Sequence, residues 1–156
     1  YTRFPDGSFD VVWALESLCY GAEDGRGPFL REAHRILRPF GIVVIADGFR
    51  PGPLTPEQEE VHRAFCRCWA MDSLAVWPEV IRTAEEVGFR IHRAEGITAH
   101  VMPSADRLLR LHRMSSPFSA LLPGWLRKNW LGAKIQHDMF TSGAGMYGLL
   151  VLVKIP

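Results

Sequence analysis

Phe4-Pro-Asp-Gly-Ser-Phe-Asp-Val-Val-Trp-Ala-Leu-Glu-Ser-Leu-Cys-Tyr20 runs through a turn, a strand and a polar loop, and that succession decides the fold class. Pro5-Asp-Gly-Ser8 has turn chemistry: proline presets φ, aspartate bonds its own backbone, and glycine tolerates positive φ. Phe9 to Leu15 is a short apolar run broken only by Asp10, which suits a strand covered on both faces, as in a parallel sheet. Glu16, Ser17, Cys19 and Tyr20 fall just past its carboxyl end, where open α/β sheets bind ligands.

Working outward, Gly21-Ala-Glu-Asp-Gly-Arg-Gly27 is a polar connection, and Phe29, Leu30, Ala33, Ile36 and Leu37 recur at helical spacing behind Pro28. Pro39 and Gly41 stop this helix, and Ile42-Val-Val-Ile-Ala46 reads as a second buried strand. Strand, helix, strand with short connections is a right-handed crossover between parallel strands. Residues 47–56 read as a Gly/Pro-rich loop, then Thr55-Pro-Glu-Gln58 starts a helix from Glu57 to about Met71. A further helix over Val76–Val87 precedes a strand at Phe89–Ile91. Residues 104–134 form an insertion with six Lys/Arg, one Asp and large apolar residues including Leu108, Leu109, Leu111, Phe118, Trp125 and Trp130. Tyr147 to Lys154 reads as the last strand.

Composition bounds these readings. The 156 residues are 47% hydrophobic and 22% charged, ordinary material for one globular domain, and the net charge of +1 gives no field that favours nucleic acid. Three cysteines do not make a disulfide framework, so a reducing cytoplasm is the expected compartment. The longest apolar runs fall short of the roughly 20 residues that span a bilayer.

In this order the segments resemble class I S-adenosylmethionine-dependent methyltransferases, in the small-molecule group of the ubiquinone/menaquinone, tocopherol and sterol C-methyltransferases. The resemblance rests on Phe4 to Val12, on Phe29-Leu-Arg-Glu-Ala-His-Arg-Ile-Leu-Arg-Pro-Phe-Gly41, on Ile42 to Asp47, on Ala84-Glu-Glu-Val-Gly-Phe89 and on Tyr147 to Lys154. It implies an α/β, partial Rossmann-like fold: a mostly parallel sheet holding strands four to seven, flanking helices, and a helical, lid-like insertion (104–134) before the last strand. That strand would run antiparallel between its neighbours. Residues 1–156 would then be the C-terminal portion of a single methyltransferase domain. The family's glycine-rich first loop and the acid ending its second strand have no counterpart in them, so the isolated chain is expected to be inactive. Phe40 stands where the family commonly has glycine.

The resemblance further implies S-adenosylmethionine as cofactor of the complete enzyme and a small, lipophilic, lipid-like or quinone-like molecule as methyl acceptor. Methyl transfer from a sulfonium needs alignment and desolvation more than a fixed catalytic triad. Leu15, Glu16, Ser17 and Leu18 would border the cofactor. Glu16 is the candidate to orient the acceptor or take its proton, with Tyr20 beside it; a carboxylate capping the next helix and a ring covering the sheet edge are the competing roles. Cys19, Phe49, Trp69, Trp77 and His137 are candidates for the acceptor pocket, against core or lid packing for the tryptophans. His62 and Cys66 share a helix face near Cys68 without a full tetrahedral set, so no metal is expected. Arg107, Arg110 and Arg113 among Leu108, Leu109 and Leu111 leave peripheral membrane contact open beside plain packing. A different class of reading is a non-catalytic half-domain that forms a homodimer, or pairs with another chain, through the exposed edge of strand four.

Overall fold

The computed structural model describes residues 2–21, 26–115 and 124–156, with the side chains of 115 and 124–130 set aside. Phe118 and the side chains of Trp125 and Trp130 therefore lie outside the described residues, as does most of the connection after Gly21.

Strand β1 (Phe9–Leu15) leads through a 3-10 turn (Leu18–Tyr20) to helix α1 (Arg26–Ile36), and strand β2 (Leu37–Arg50) starts directly after it. Helix α2 (Pro56–Trp69), the short strand β3 (Ala75–Val76), helix α3 (Trp77–Val87) and strand β4 (Phe89–Gly96) follow. Helices α4 (Thr98–Ser115) and α5 (Gly124–Thr141) then precede strand β5 (Met146–Lys154). The sheet order is β1-β2-β5-β4, with β3 also beside β2. β1 and β3 pair parallel to β2, whereas β5 lies antiparallel between β2 and β4. The α/β class is as the sequence implies, with β5 reversed between its neighbours. Counted by pairing, however, the sheet is mixed, because one reversed strand in its interior makes two antiparallel ladders.

α1 ends at Ile36, before the residues expected to stop it, and the Pro39-Phe40-Gly41 segment is a kink inside β2. Phe40 takes φ +63°, the left-handed region that favours glycine. A Cβ on Gly41 would stand 2.9 Å from Leu37 Cδ2, so this bend packs too closely for a side chain. The extra residues appear as a slip in pairing, from Phe9 opposite Leu37 to Val11 opposite Ile42. At its other end β2 runs on to Arg50, where a loop was expected from Asp47. Phe49 there is held between Ala75 of β3 and Met146 of β5, so long-range pairing overrides the local Gly/Pro signal.

One face of the sheet is the main core. Leu30 and Ala33 of α1 and Val80 and Ala84 of α3 pack with Val43 and Ile45 of β2 and with Leu150 and Leu152 of β5, all buried. Alternation along β1 sends Ala14 into that core and Val11, Trp13 and Leu15 outward. Trp13 is 64% exposed. α2 starts on a capping box in which Gln58 N–H donates to Thr55 Oγ1 and Thr55 N–H to Gln58 Oε1, satisfying two otherwise orphaned donors. α2 packs on α5, and α5 on α4, forming a helical layer beside the sheet.

Candidate functional site

Where β1 ends, the chain turns hard. Leu15 pairs with Ala46, the Glu16 N–H donates to the Ala46 carbonyl at 2.9 Å, and Glu16 then takes φ +46°, a conformation costly for a residue with a Cβ. The turn opens a cavity of about 130 Å³ between the ends of β1, β2 and β5 and the helices α2 and α5. Its apolar walls come from Phe65 and Trp69 of α2, Met71 and Leu74 after it, and Met139 and Phe140 of α5. Its polar side is Glu16, Cys19, Tyr20, Asp47, Gln136 and Tyr147. No Lys, Arg or His is among the described lining residues.

The polar side is a connected set. Tyr147 Oη–H donates to Glu16 Oε1 at 3.0 Å, joining β5 to the turn after β1. Burial, then the Glu16 carboxylate, pushes the Tyr147 phenol well above its ordinary range, so it stays a donor. Asp47 is buried, with its Oδ2 accepting from Cys19 N–H at 3.1 Å and its Oδ1 from Gly48 N–H at 2.7 Å. Burial raises the Asp47 pKa, and the amides it accepts from work against that. The Cys19 thiol is pushed up to about 12 by burial and by the Asp47 charge, so it remains protonated.

Of the residues singled out in the sequence, Glu16, Cys19, Tyr20 and Trp69 meet at this cavity. Leu15 and Ser17 are exposed beside it, and Leu18 is buried beneath. Phe49 and Trp77 sit apart, edge to face at 4.8 Å within the main core. His137 faces Asp106, with Nε2 3.2 Å from Oδ1, in the cleft between α4 and α5. The cavity cover from α5 uses Gln136, Met139 and Phe140, past the 134 boundary drawn for the insertion. His62 is buried, its Nε2 accepting from Leu74 N–H at 3.2 Å and lying 3.4 Å from Cys66 Sγ. No group of three or more candidate metal ligands occurs among the described residues. Asp47 and Tyr147 escaped the sequence reading. The signal for Asp47 was an acid ending an apolar strand, whereas Tyr147 needs the reversed strand to bring it to Glu16.

Known proteins resemble this chain in sequence and in fold. Residues 1–45 match a family model described as "Methyltransferase domain". The chain is 35% identical over 104 residues to 27-O-demethylrifamycin SV methyltransferase of Amycolatopsis mediterranei, covering 65% of this chain and 36% of that protein. It is 29% identical over 133 residues to 2-methyl-6-phytyl-1,4-hydroquinone methyltransferase of Synechocystis, covering 83% and 36%. Among solved structures, geranyl diphosphate C-methyltransferase from Streptomyces coelicolor superposes with a TM-score of 0.74 at 18% identity, covering 99% of this chain and 51% of that one. The cyclopropane synthase MmaA2 from Mycobacterium tuberculosis superposes at 0.77 and 14% identity, covering 98% and 57%. The chain thus spans a little over a third of these curated relatives and about half of these solved structures. The fold is that of the class I S-adenosylmethionine-dependent methyltransferases, and the sequence matches are to small-molecule members of that class. S-adenosylmethionine is the cofactor of that class.

Proposed function

We propose that this chain supplies the acceptor side of a methyltransferase acting on a small, lipophilic molecule. The observation that carries the reading is the cavity at the strand ends, apolar on α2 and α5 and bearing the Glu16–Tyr147 pair. An apolar pocket with a few convergent polar groups is the usual form of a small-molecule site. The cofactor, when bound, supplies an electrophilic methyl group. Leu15 to Leu18 would hold it on this side, and a lining that offers Glu16 and Asp47 without a basic side chain suits a positively charged sulfonium. Glu16 then orients the acceptor or takes its proton, with one oxygen fixed by Tyr147. Tyr20, 57% exposed, stands at the rim. The phytyl-hydroquinone and rifamycin relatives support an apolar acceptor with an oxygen-bearing head.

On this reading the cofactor's other wall is not formed by residues 1–156, and these residues alone do not turn over. Cys19, Cys66 and Cys68 are free thiols, which suits a reducing, cytoplasmic compartment. Isothermal titration with S-adenosylhomocysteine tests the cofactor side: measurable heat from the whole protein is expected, and none would sink the reading. A second reading is favoured by Val11, Trp13 and Leu15, which leave β1 with an exposed apolar face. A homodimer or another chain would cover it. Elution as a monomer in sizing chromatography at micromolar concentration would exclude self-pairing. The exposed Leu108, Leu111 and Met114 beside Arg107, Arg110 and Arg113 on α4 suit peripheral contact with anionic lipid, which vesicle sedimentation at low salt checks.

A further inference from the structure

We propose that Asp47 is a positioning residue, whose buried carboxylate fixes the Leu18–Tyr20 turn as the cavity wall that presents Glu16, Cys19 and Tyr20. This inference rests on the cavity being the acceptor pocket. Up to Glu16 the chain is held to β2 by the ladder, the last bond being Glu16 N–H to the Ala46 carbonyl. Beyond it the backbone bonds of the turn are internal, Tyr20 N–H to Ser17 and Gly21 N–H to Leu18. The tie back to the sheet is made by a side chain instead: Cys19 N–H donates to Asp47 Oδ2 at 3.1 Å, across 28 residues. The Leu18 amide also acts on this carboxylate, and Gly48 N–H holds its other oxygen at 2.7 Å.

The chemistry favours a carboxylate here over any neutral side chain. Asp47 is 2% exposed, and a charge that deep is tolerated only when its acceptor sites are filled. Amides fill them, in charge-assisted bonds stronger than neutral ones. The titratable neighbours are Cys19, Glu16, Tyr20 and Tyr147, all neutral or acidic groups, so among the described residues no cation competes with the turn for the carboxylate. An asparagine at position 47 would keep one acceptor oxygen and turn an NH2 group toward a backbone donor. The wall would then lose its tether while the hydrophobic faces of β2 stayed as they are.

Residue-resolved amide hydrogen exchange on wild-type protein and on Asp47→Asn tests this. In the wild type the Cys19 amide is expected to exchange as slowly as the β2 amides, although it lies in a turn. In Asp47→Asn, Leu18 to Tyr20 should exchange at least tenfold faster while Leu150 and Leu152 keep their rates. The Cys19 thiol, followed by peptide mass after iodoacetamide, should become reactive while Cys66 stays inert. An unprotected Cys19 amide in the wild type overturns the proposal, and that measurement decides alone if Asp47→Asn does not fold. Unchanged protection of Cys19 in a folded Asp47→Asn overturns it equally. Failure of the whole wild-type protein to bind S-adenosylhomocysteine would instead count against the methyltransferase reading and leave the Cys19 result standing.

Discussion

Tyr147 and Glu16 are 131 positions apart in the chain and 3.0 Å apart in space, one at the start of β5 and the other just past the end of β1. The bond crosses the polar side of the cavity, so it sets where the carboxylate points.

Tyr147→Phe is therefore expected to free the Glu16 carboxylate with little cost to the fold, because the bond is largely exposed and nets about 1 kcal/mol. In the whole protein acceptor KM should rise by about fivefold for a bond worth about 1 kcal/mol, with a nearly unchanged melting temperature. Steady-state kinetics with a relative's acceptor and thermal unfolding check both halves. An unaltered KM would remove Tyr147 from the site.

Three residues with side chains among those described occupy left-handed backbone: Glu16 at φ +46°, Phe40 at φ +63° and Ala70, at the end of α2, at φ +54°. Glycine adopts that region without strain, so Phe40→Gly should stabilise the protein by up to about 1 kcal/mol, since the ring it removes is 70% exposed. Glu16→Gly should relieve strain in the same way and yet abolish turnover in the whole protein. Urea unfolding separates the effects; equal losses of stability in both variants would refute the strain account.

Gly148 allows a close approach. A Cβ there would stand 2.5 Å from Trp77 Cζ3 and 2.9 Å from Phe49 Cδ2, both within the core. Gly148→Ala should cost about 1–3 kcal/mol through overpacking. Trimming the ring in Gly148→Ala/Trp77→Leu should recover part of it, which a double-mutant cycle would show.

His62 is held neutral: burial and then the Arg50 charge lower its pKa, with Glu59 opposing. The unfolded chain binds the proton more readily, so the stability it contributes is complete above about pH 6.5 and declines as pH falls below that value. Urea midpoints at pH 7.5 and 5.5 should differ more for wild type than for His62→Gln. His62→Ala, which leaves Leu74 N–H without its acceptor, should cost about 1–3 kcal/mol at either pH.

How far these features could be read in advance depends on the range of the interaction. The cap at Thr55, the helix of Leu30 and Ala33, and the buried run Ile42 to Ala46 follow from local spacing, and all form where that spacing put them. The kink at Phe40 and the extension of β2 to Arg50 depend on partners in β1, β3 and β5, which local spacing does not encode. The site divides in the same way. Glu16, Cys19 and Tyr20 were marked by their place after a strand, whereas Asp47 became legible only when its carboxylate met an amide 28 residues away. Trp77 and Phe49 drew notice as aromatic residues, yet an aromatic ring near a strand end serves a core as readily as a pocket.

The position of β5 also constrains when this sheet can assemble. Residues 146–154 lie between β2 and β4, two strands that end long before them in the order of synthesis. Until those residues leave the ribosome, Ile45 and Val43 have no strand partner on that side, and β4 has none among the described residues. Closure of the sheet is accordingly a late and non-local event, with a slow folding rate to match. A nascent chain stalled short of residue 146 would present open strand edges to chaperones and to other nascent chains.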